Sequence, residues 1–233
     1  MTTRGAGARD GTARPPRRGG PVKIGKFITL EGGEGAGKST QIVRLAASLE
    51  GAGISVVTTR EPGGSPAGER IRKLLVEGEP GSLTPLAEAL LHFAQRAEHL
   101  ERTIRPALAG GSWVISDRFA DSTMAYQGYG HRLGRATIDR LYRLVCGTFR
   151  PDLTLILDVP VDIGLARAAA RRGTENRYEM MDPTFHERLR RGFLDIARSD
   201  RRRCAVIDTT QSLDAVTAQI LQTVSKRLRI KLA

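Results

Sequence analysis

Gly32-Gly33-Glu34-Gly35-Ala36-Gly37-Lys38-Ser39-Thr40 follows the apolar run Phe27-Ile28-Thr29-Leu30 and leads into Gln41-Ile42-Val43-Arg44-Leu45, whose apolar spacing is helical. The stretch satisfies GxxxxGK[ST] in a strand-loop-helix context. Glycines tolerate positive φ and close backbone approach, so successive N–H groups turn toward phosphate oxygens, and the helix that follows adds its positive end. Lys38 is then expected to reach β- and γ-phosphates, and the Ser39 hydroxyl to ligate Mg²⁺. The whole loop, Gly32 to Thr40, is expected to hold a nucleoside triphosphate.

Beyond the loop, short apolar runs alternate with longer segments of helical period. The runs are Phe27 to Leu30, Ile54-Ser55-Val56-Val57, Trp113-Val114-Ile115, Leu153-Thr154-Leu155-Ile156-Leu157 and Cys204-Ala205-Val206-Ile207. The helical segments are 39–50, 66–77, 84–109, 134–147, 161–171, 183–199 and 212–229. Apolar strands separated by helices suit a parallel sheet covered on both faces. The expected fold is α/β, a three-layer P-loop NTPase-type sandwich of about five parallel strands. Pro106 should kink or restart the helix that contains it.

The chain has 233 residues, 40% of them hydrophobic, which is enough for one buried core and excludes a disulfide- or metal-stapled mini-protein. No apolar run approaches the ~18 to 20 residues of a membrane-spanning helix, so no membrane partner is expected. Cys146 and Cys204 stand 58 positions apart without a CxxC or Cys/His cluster. They read as small buried hydrophobes in a reducing cytoplasm. His92, His99, His131 and His186 show no metal spacing, and the first two read as helix-face residues.

A net charge of +12 attracts polyanions. Residues 1–22, however, hold Arg4, Arg9, Arg14, Arg17 and Arg18 against the single acid Asp10. The remaining excess is scattered or sits where phosphates would bind, so no nucleic-acid partner is expected. Residues 1–22 also lack apolar groups whose burial could offset ordering entropy. They are expected to form a disordered basic tail ahead of a single domain over 23–233. The tail reads as a solvated extension, a start assigned too far upstream or, on its Arg-rich and acid-poor make-up, a transit peptide.

Four further segments follow the loop in order: Thr59-Arg60-Glu61-Pro62-Gly63-Gly64; Phe93-Ala94-Gln95-Arg96; Asp117-Arg118-Phe119 with Ser122-Thr123-Met124-Ala125-Tyr126-Gln127-Gly128; and Arg171-Arg172-Gly173 with Asn176-Arg177-Tyr178-Glu179. With the P-loop they resemble the thymidylate kinase family, in its bacterial type, from about Lys26 to the C-terminus. The resemblance implies transfer of the γ-phosphoryl of ATP to dTMP with Mg²⁺, a homodimer, and a short basic lid. Two other readings compete: another nucleoside monophosphate kinase, and a non-catalytic nucleotide-binding P-loop protein. The pairing of Phe93/Arg96 with Ala125-Tyr126-Gln127-Gly128 speaks against the first. The joint presence of Lys38, Ser39, Asp117 and Arg118 speaks against the second.

The chemistry of the matched residues agrees with this family. Phosphoryl transfer asks mainly that two anions lie in line while cations neutralise the charge between them. Arg118, beyond the third strand, sits at the sheet edge where ligands of open α/β folds bind. The resemblance gives it the acceptor phosphate and gives Asp117 the Mg²⁺ and its waters. Arg72 matches the position holding that phosphate from the opposite side. Phe93 and Arg96, three apart on one helical face, would stack on the pyrimidine and donate to its O4, which rejects cytosine. By the same resemblance Thr123, Tyr126 and Gln127 would line the thymine and sugar side, with Tyr126 disfavouring ribose, and Glu34 would accept from the 3′-hydroxyl. The resemblance makes Arg167, Arg171, Arg172 and Arg177 the lid arginines, with Arg177 the expected catalytic one, while Arg167 and Arg171 read equally as solvated helix charges. Asp158 resembles a Walker-B aspartate or else caps the next helix. Phe119 stands where Tyr is usual, and Thr123 where Asn or Ser is common.

Overall fold

The computed structural model describes residues 24–170 and 177–232. The expected tail over 1–22 and the lid arginines Arg171 and Arg172 lie outside them. A sheet of five parallel strands forms from β1 (Phe27–Glu31), β2 (Val56–Arg60), β3 (Trp113–Asp117), β4 (Leu153–Asp158) and β5 (Cys204–Asp208), in the order β2-β3-β1-β4-β5. The helices are α1 (Lys38–Gly51), α2 (Pro66–Val76), α3 (Pro85–His99), α4 (Arg105–Ala109), α5 (Ala120–Thr123), α6 (Arg135–Cys146), α7 (Val161–Ala169), α8 (Pro183–Ser199) and α9 (Leu213–Leu228).

Strand β1 shows why both faces are covered. Ile28 and Leu30 pack with Leu45, Leu49, Ile220 and Val224 of α1 and α9, whereas Phe27 packs with Leu100, Ile104 and Phe119 on the other face. Successive side chains of a strand point to opposite faces, and each fully buried Leu, Ile or Phe contributes about 1.5–3 kcal/mol. Thr29 and Thr154, opposite each other on β1 and β4, are satisfied by a 2.8 Å hydroxyl contact. Cys146 and Cys204 are buried and free, as expected, and burial pushes their thiols up to about 11 and about 12.

Three departures from the expected elements have local causes. Strand β2 begins at Val56 rather than Ile54, because the Ile54 N–H is spent on the Leu49 carbonyl in the turn that ends α1. The segment 84–109 is interrupted by a π-helical turn over Leu100–Ile104, immediately before Pro106 in the first turn of α4. Proline has no N–H to give the preceding turn, and its ring crowds the carbonyl four residues back, so the helix widens and restarts. A helical stretch absent from the sequence reading, α5 and the π-helical turn Met124–Gly130, follows β3.

Candidate active site

The carboxyl ends of β1 and β3 open onto one cavity of about 630 Å³. Its floor is the P-loop. Gly32, Gly35 and Gly37 have φ of 138°, 66° and 87°. A Cβ on Gly35 would lie 1.9 Å from the Gly164 carbonyl oxygen, so the loop lies flush against α7. By contrast, Gly33 and Gly37 have no atom within 4 Å of a Cβ position, which leaves the outer surface of the loop free. Helix α1 begins there with no side-chain cap and no acidic residue in its first turn. Its first N–H groups are therefore available to an anion. Lys38 Nζ folds back onto the carbonyls of Gly33 at 2.9 Å and Gly32 at 3.3 Å, and burial lowers its ammonium to about 8. Ser39 Oγ donates to Asp117 Oδ2 at 3.0 Å, joining the two expected metal-side residues.

Arg118 occupies the left-handed region at φ 69°, which costs a non-glycine residue of order 1–3 kcal/mol and persists where its neighbours hold it. Here the Arg118 N–H donates to Leu30 O, Ser116 Oγ donates to Arg118 O, and the carboxyl group of Glu31 bonds Phe119 N and Ser122 Oγ. The guanidinium donates to Gly32 O at 2.8 Å, Ser122 Oγ at 3.2 Å and Glu34 Oε1 at 2.9 Å, with its carbon 4.9 Å from the Tyr126 ring centre. Tyr126 OH donates to the same Glu34 oxygen. Burial disfavours a charged Glu34, but Arg118 and Lys38 beside it prevail and hold its carboxyl down to about 2. Glu31, enclosed at the end of β1, goes the other way: burial and the nearby Asp121 raise it to about 8.

Across the cavity, Arg72 Nη1 donates to Pro62 O at 2.7 Å. Arg96 is 1% exposed; its Nε donates to Glu61 Oε2 at 2.8 Å and its Nη2 to Thr123 Oγ1 at 2.9 Å, while Nη1 is buried without a partner. Gln127 Nε2 donates to Glu88 Oε1 at 2.6 Å, and its Oε1 is likewise buried and unpartnered. Arg96, Thr123, Tyr126 and Gln127 all contribute to the cavity wall.

Several expected residues stand elsewhere. Phe93 is buried, with its ring 4.7 Å from the guanidinium carbon of the cavity-lining Arg96. Arg177 is not presented to the phosphate side. It is 3% exposed, donating to Leu75 O at 2.9 Å and Glu88 Oε2 at 2.6 Å, because a buried guanidinium needs a carboxylate partner. Arg167 donates to Thr209 O at 3.0 Å. Asp158 accepts both arms of Arg190, at 2.7 and 2.9 Å, and does not cap α7, whose N-cap Pro160 offers no side-chain bond. Phe119, in place of Tyr, packs against Phe27 and Phe149.

The sequence reading missed the buried carboxylates Glu31, Glu61 and Glu88. Glu61 also faces His99, whose Nδ1 is 3.0 Å from Oε1. One signal was available: Glu88, His92 and Arg96 recur every four residues along α3, a charged stripe on a helix face that is otherwise inward.

Comparison with known proteins bears on this arrangement. The profile of the family described as thymidylate kinase matches residues 30–220. The chain belongs to the thymidylate kinase family. It is 55% identical over 204 residues to a thymidylate kinase of Caulobacter vibrioides, covering 88% of this chain and 98% of that protein. It is 47% identical over 210 residues to that of Geobacter sulfurreducens, covering 88% and 99%. The crystal structure of thymidylate kinase from Ehrlichia chaffeensis is similar at a TM-score of 0.71 and 36% identity, covering 86% of this chain and 98% of that one. In this member of the family, no helix among the described residues is long and apolar enough to cross a membrane.

Proposed function

We propose that the chain transfers the γ-phosphoryl group of ATP to dTMP, giving dTDP and ADP, with Mg²⁺, in the cytoplasm and as a homodimer. The observation that carries this reading is the composition of one cavity: an uncapped helix start with Lys38 on the floor, Arg118 and Arg72 on the walls, and two partnerless polar atoms, Arg96 Nη1 and Gln127 Oε1, beside them. Membership of the thymidylate kinase family supports the same reading.

In this mechanism the loop N–H groups and Lys38 hold the β- and γ-phosphates. An oxygen of the dTMP phosphate attacks the γ-phosphorus in line, and the bond to the ADP oxygen breaks. Arg118, attached to the loop through Gly32 and Glu34, stabilises the charge spread over the transferred group, and Arg72 steadies the acceptor phosphate. Both known partners of Glu34 bond Oε1, which leaves Oε2 to accept from the 3′-hydroxyl. Tyr126 beside it closes the space a 2′-hydroxyl would need. Arg96 Nη1 donates to thymine O4 and Gln127 Oε1 accepts from N3–H, with Thr123 steadying Arg96 and Phe93 backing its guanidinium. Ser39 and Asp117 supply a hydroxyl and a carboxylate, hard oxygen donors that suit Mg²⁺ and leave its other positions to phosphates and water. When bound, the ion neutralises phosphate charge. Leu86 and Leu90, exposed one turn apart on α3, and Leu144 on the adjacent α6 support a homodimer face.

A coupled ADP-release assay with ATP-Mg²⁺ against dTMP, dCMP, dGMP and AMP tests the reading. dTMP is expected to turn over well above the others. Protein inert toward dTMP beside a working control enzyme overturns it.

A further inference from the structure

Glu88 lies in the first turn of α3 and is 1% exposed. Its two oxygens have different partners. Oε2 accepts from Arg177 Nη2 at 2.6 Å, and Oε1 accepts from Gln127 Nε2 at 2.6 Å, with His131 Nε2 3.2 Å away. The buried Arg177 guanidinium, 2.6 Å from Oε2, pairs with Glu88 as a carboxylate, and although burial disfavours its charge, the surrounding groups hold the carboxyl below its ordinary range. A carboxylate only accepts. Gln127 must therefore turn its amide nitrogen toward α3 and keep its oxygen, which has no protein partner, at the cavity wall.

We infer that Glu88 is a positioning residue for base selection, fixing the Gln127 amide so that the cavity presents an acceptor to the ring nitrogen of the base. The inference rests on the kinase reading above. Thymine carries N3–H, a donor that meets this oxygen; cytosine carries an unprotonated N3, whose lone pair opposes it. The discrimination is separate from that of Arg96, which acts on the exocyclic position. Arg177 serves as the counter-charge of Glu88 in this arrangement.

Substitution Glu88→Gln makes the logic testable. A carboxamide has one acceptor, and the Arg177 cation has the stronger claim on it. The new amide N–H₂ then faces Gln127, whose amide turns over to accept from it and brings Nε2 to the cavity. The ratio of kcat/KM for dTMP over dCMP is expected to fall about tenfold, the scale of one mismatched buried hydrogen bond. Glu88→Asp, still acceptor-only, is expected to stay near the wild-type ratio. Gln127→Leu removes the acceptor directly and should lower the ratio by a similar factor, which keeps the test alive should Glu88→Gln not fold. A general loosening of the site would lower both kcat/KM values together and leave their ratio unmoved. Wild-type protein that selects dTMP while Glu88→Gln or Gln127→Leu retains the full wild-type ratio overturns this inference alone. Wild-type protein inert toward dTMP overturns the kinase reading, and this inference with it.

Discussion

Replacing Glu61 by Gln removes the charge that balances Arg96 without changing the shape of the side chain. Arg96 Nε and Nη2 lie 2.8 and 2.7 Å from Glu61 Oε2, and side-chain exposure is 1% for Arg96 and 2% for Glu61. Water cannot rescue the guanidinium once its partner is neutral. Breaking one side of a buried ion pair costs about 3–5 kcal/mol. For a domain of this size each kcal/mol moves Tm by roughly 2–4 °C, so Glu61→Gln should lower Tm by about 6–20 °C. Arg96→Met should also destabilise, and the double variant should cost clearly less than the two singles together, because neither charge is then left alone. The pH dependence has a definite sign. Burial opposes ionisation of Glu61, but Arg96 and His99 outweigh it and hold the carboxyl below its ordinary range. Its contribution is thus present above about pH 4.5 and lost as pH falls through the lowered value, so wild type and Glu61→Gln should converge in acid. Thermal melts of the four proteins from pH 8 down to about pH 2 measure all of this. A Tm change under 2 °C for Glu61→Gln, or strictly additive costs, would refute the claim that this pair is the charge balance of this buried cluster.

Lys38→Ala should lower kcat about 10²–10³-fold, the usual loss for one preorganised charge donor, while dTMP binding by calorimetry persists; unchanged turnover would remove the P-loop lysine from the mechanism. Glu31→Gln should behave oppositely to Glu61→Gln. Because burial and Asp121 raise the Glu31 carboxyl to about 8, wild type loses stability as pH climbs from about 4.5 to about 8, and the amide should gain on it over that window. Parallel stability curves for the two proteins would contradict the buried position of Glu31. Deleting residues 2–21 should leave kcat and KM for dTMP intact, and a tenfold loss would give the basic tail a function.

Some of this protein was decided by short-range patterns that a linear reading captures. The P-loop is one, since glycine spacing, Lys38 and Ser39 act within nine consecutive residues. The alternation of apolar runs with helical periods is another, because a strand buried on both faces needs few polar residues wherever it falls in the chain. Even the break near Pro106 is local, as the missing N–H acts on the turn before it. The edge strand β2 continues through Thr58, Thr59 and Arg60 beyond the apolar run that ends at Val57, because an edge tolerates polar residues and carries a weaker apolar signal.

Charge partners were decided only in three dimensions. Glu61 meets Arg96 across 35 positions, Glu34 meets Arg118 across 84, and Glu88 meets Arg177 across 89. From the sequence Arg177 reads as a cation bound for phosphate, whereas packing gives it a buried carboxylate on α3, and only packing sets the Phe93 ring against the Arg96 guanidinium. A side chain's chemistry is written in its residue type, but the desolvation and pairing that set its charge, orientation and availability exist only once distant segments have been packed together.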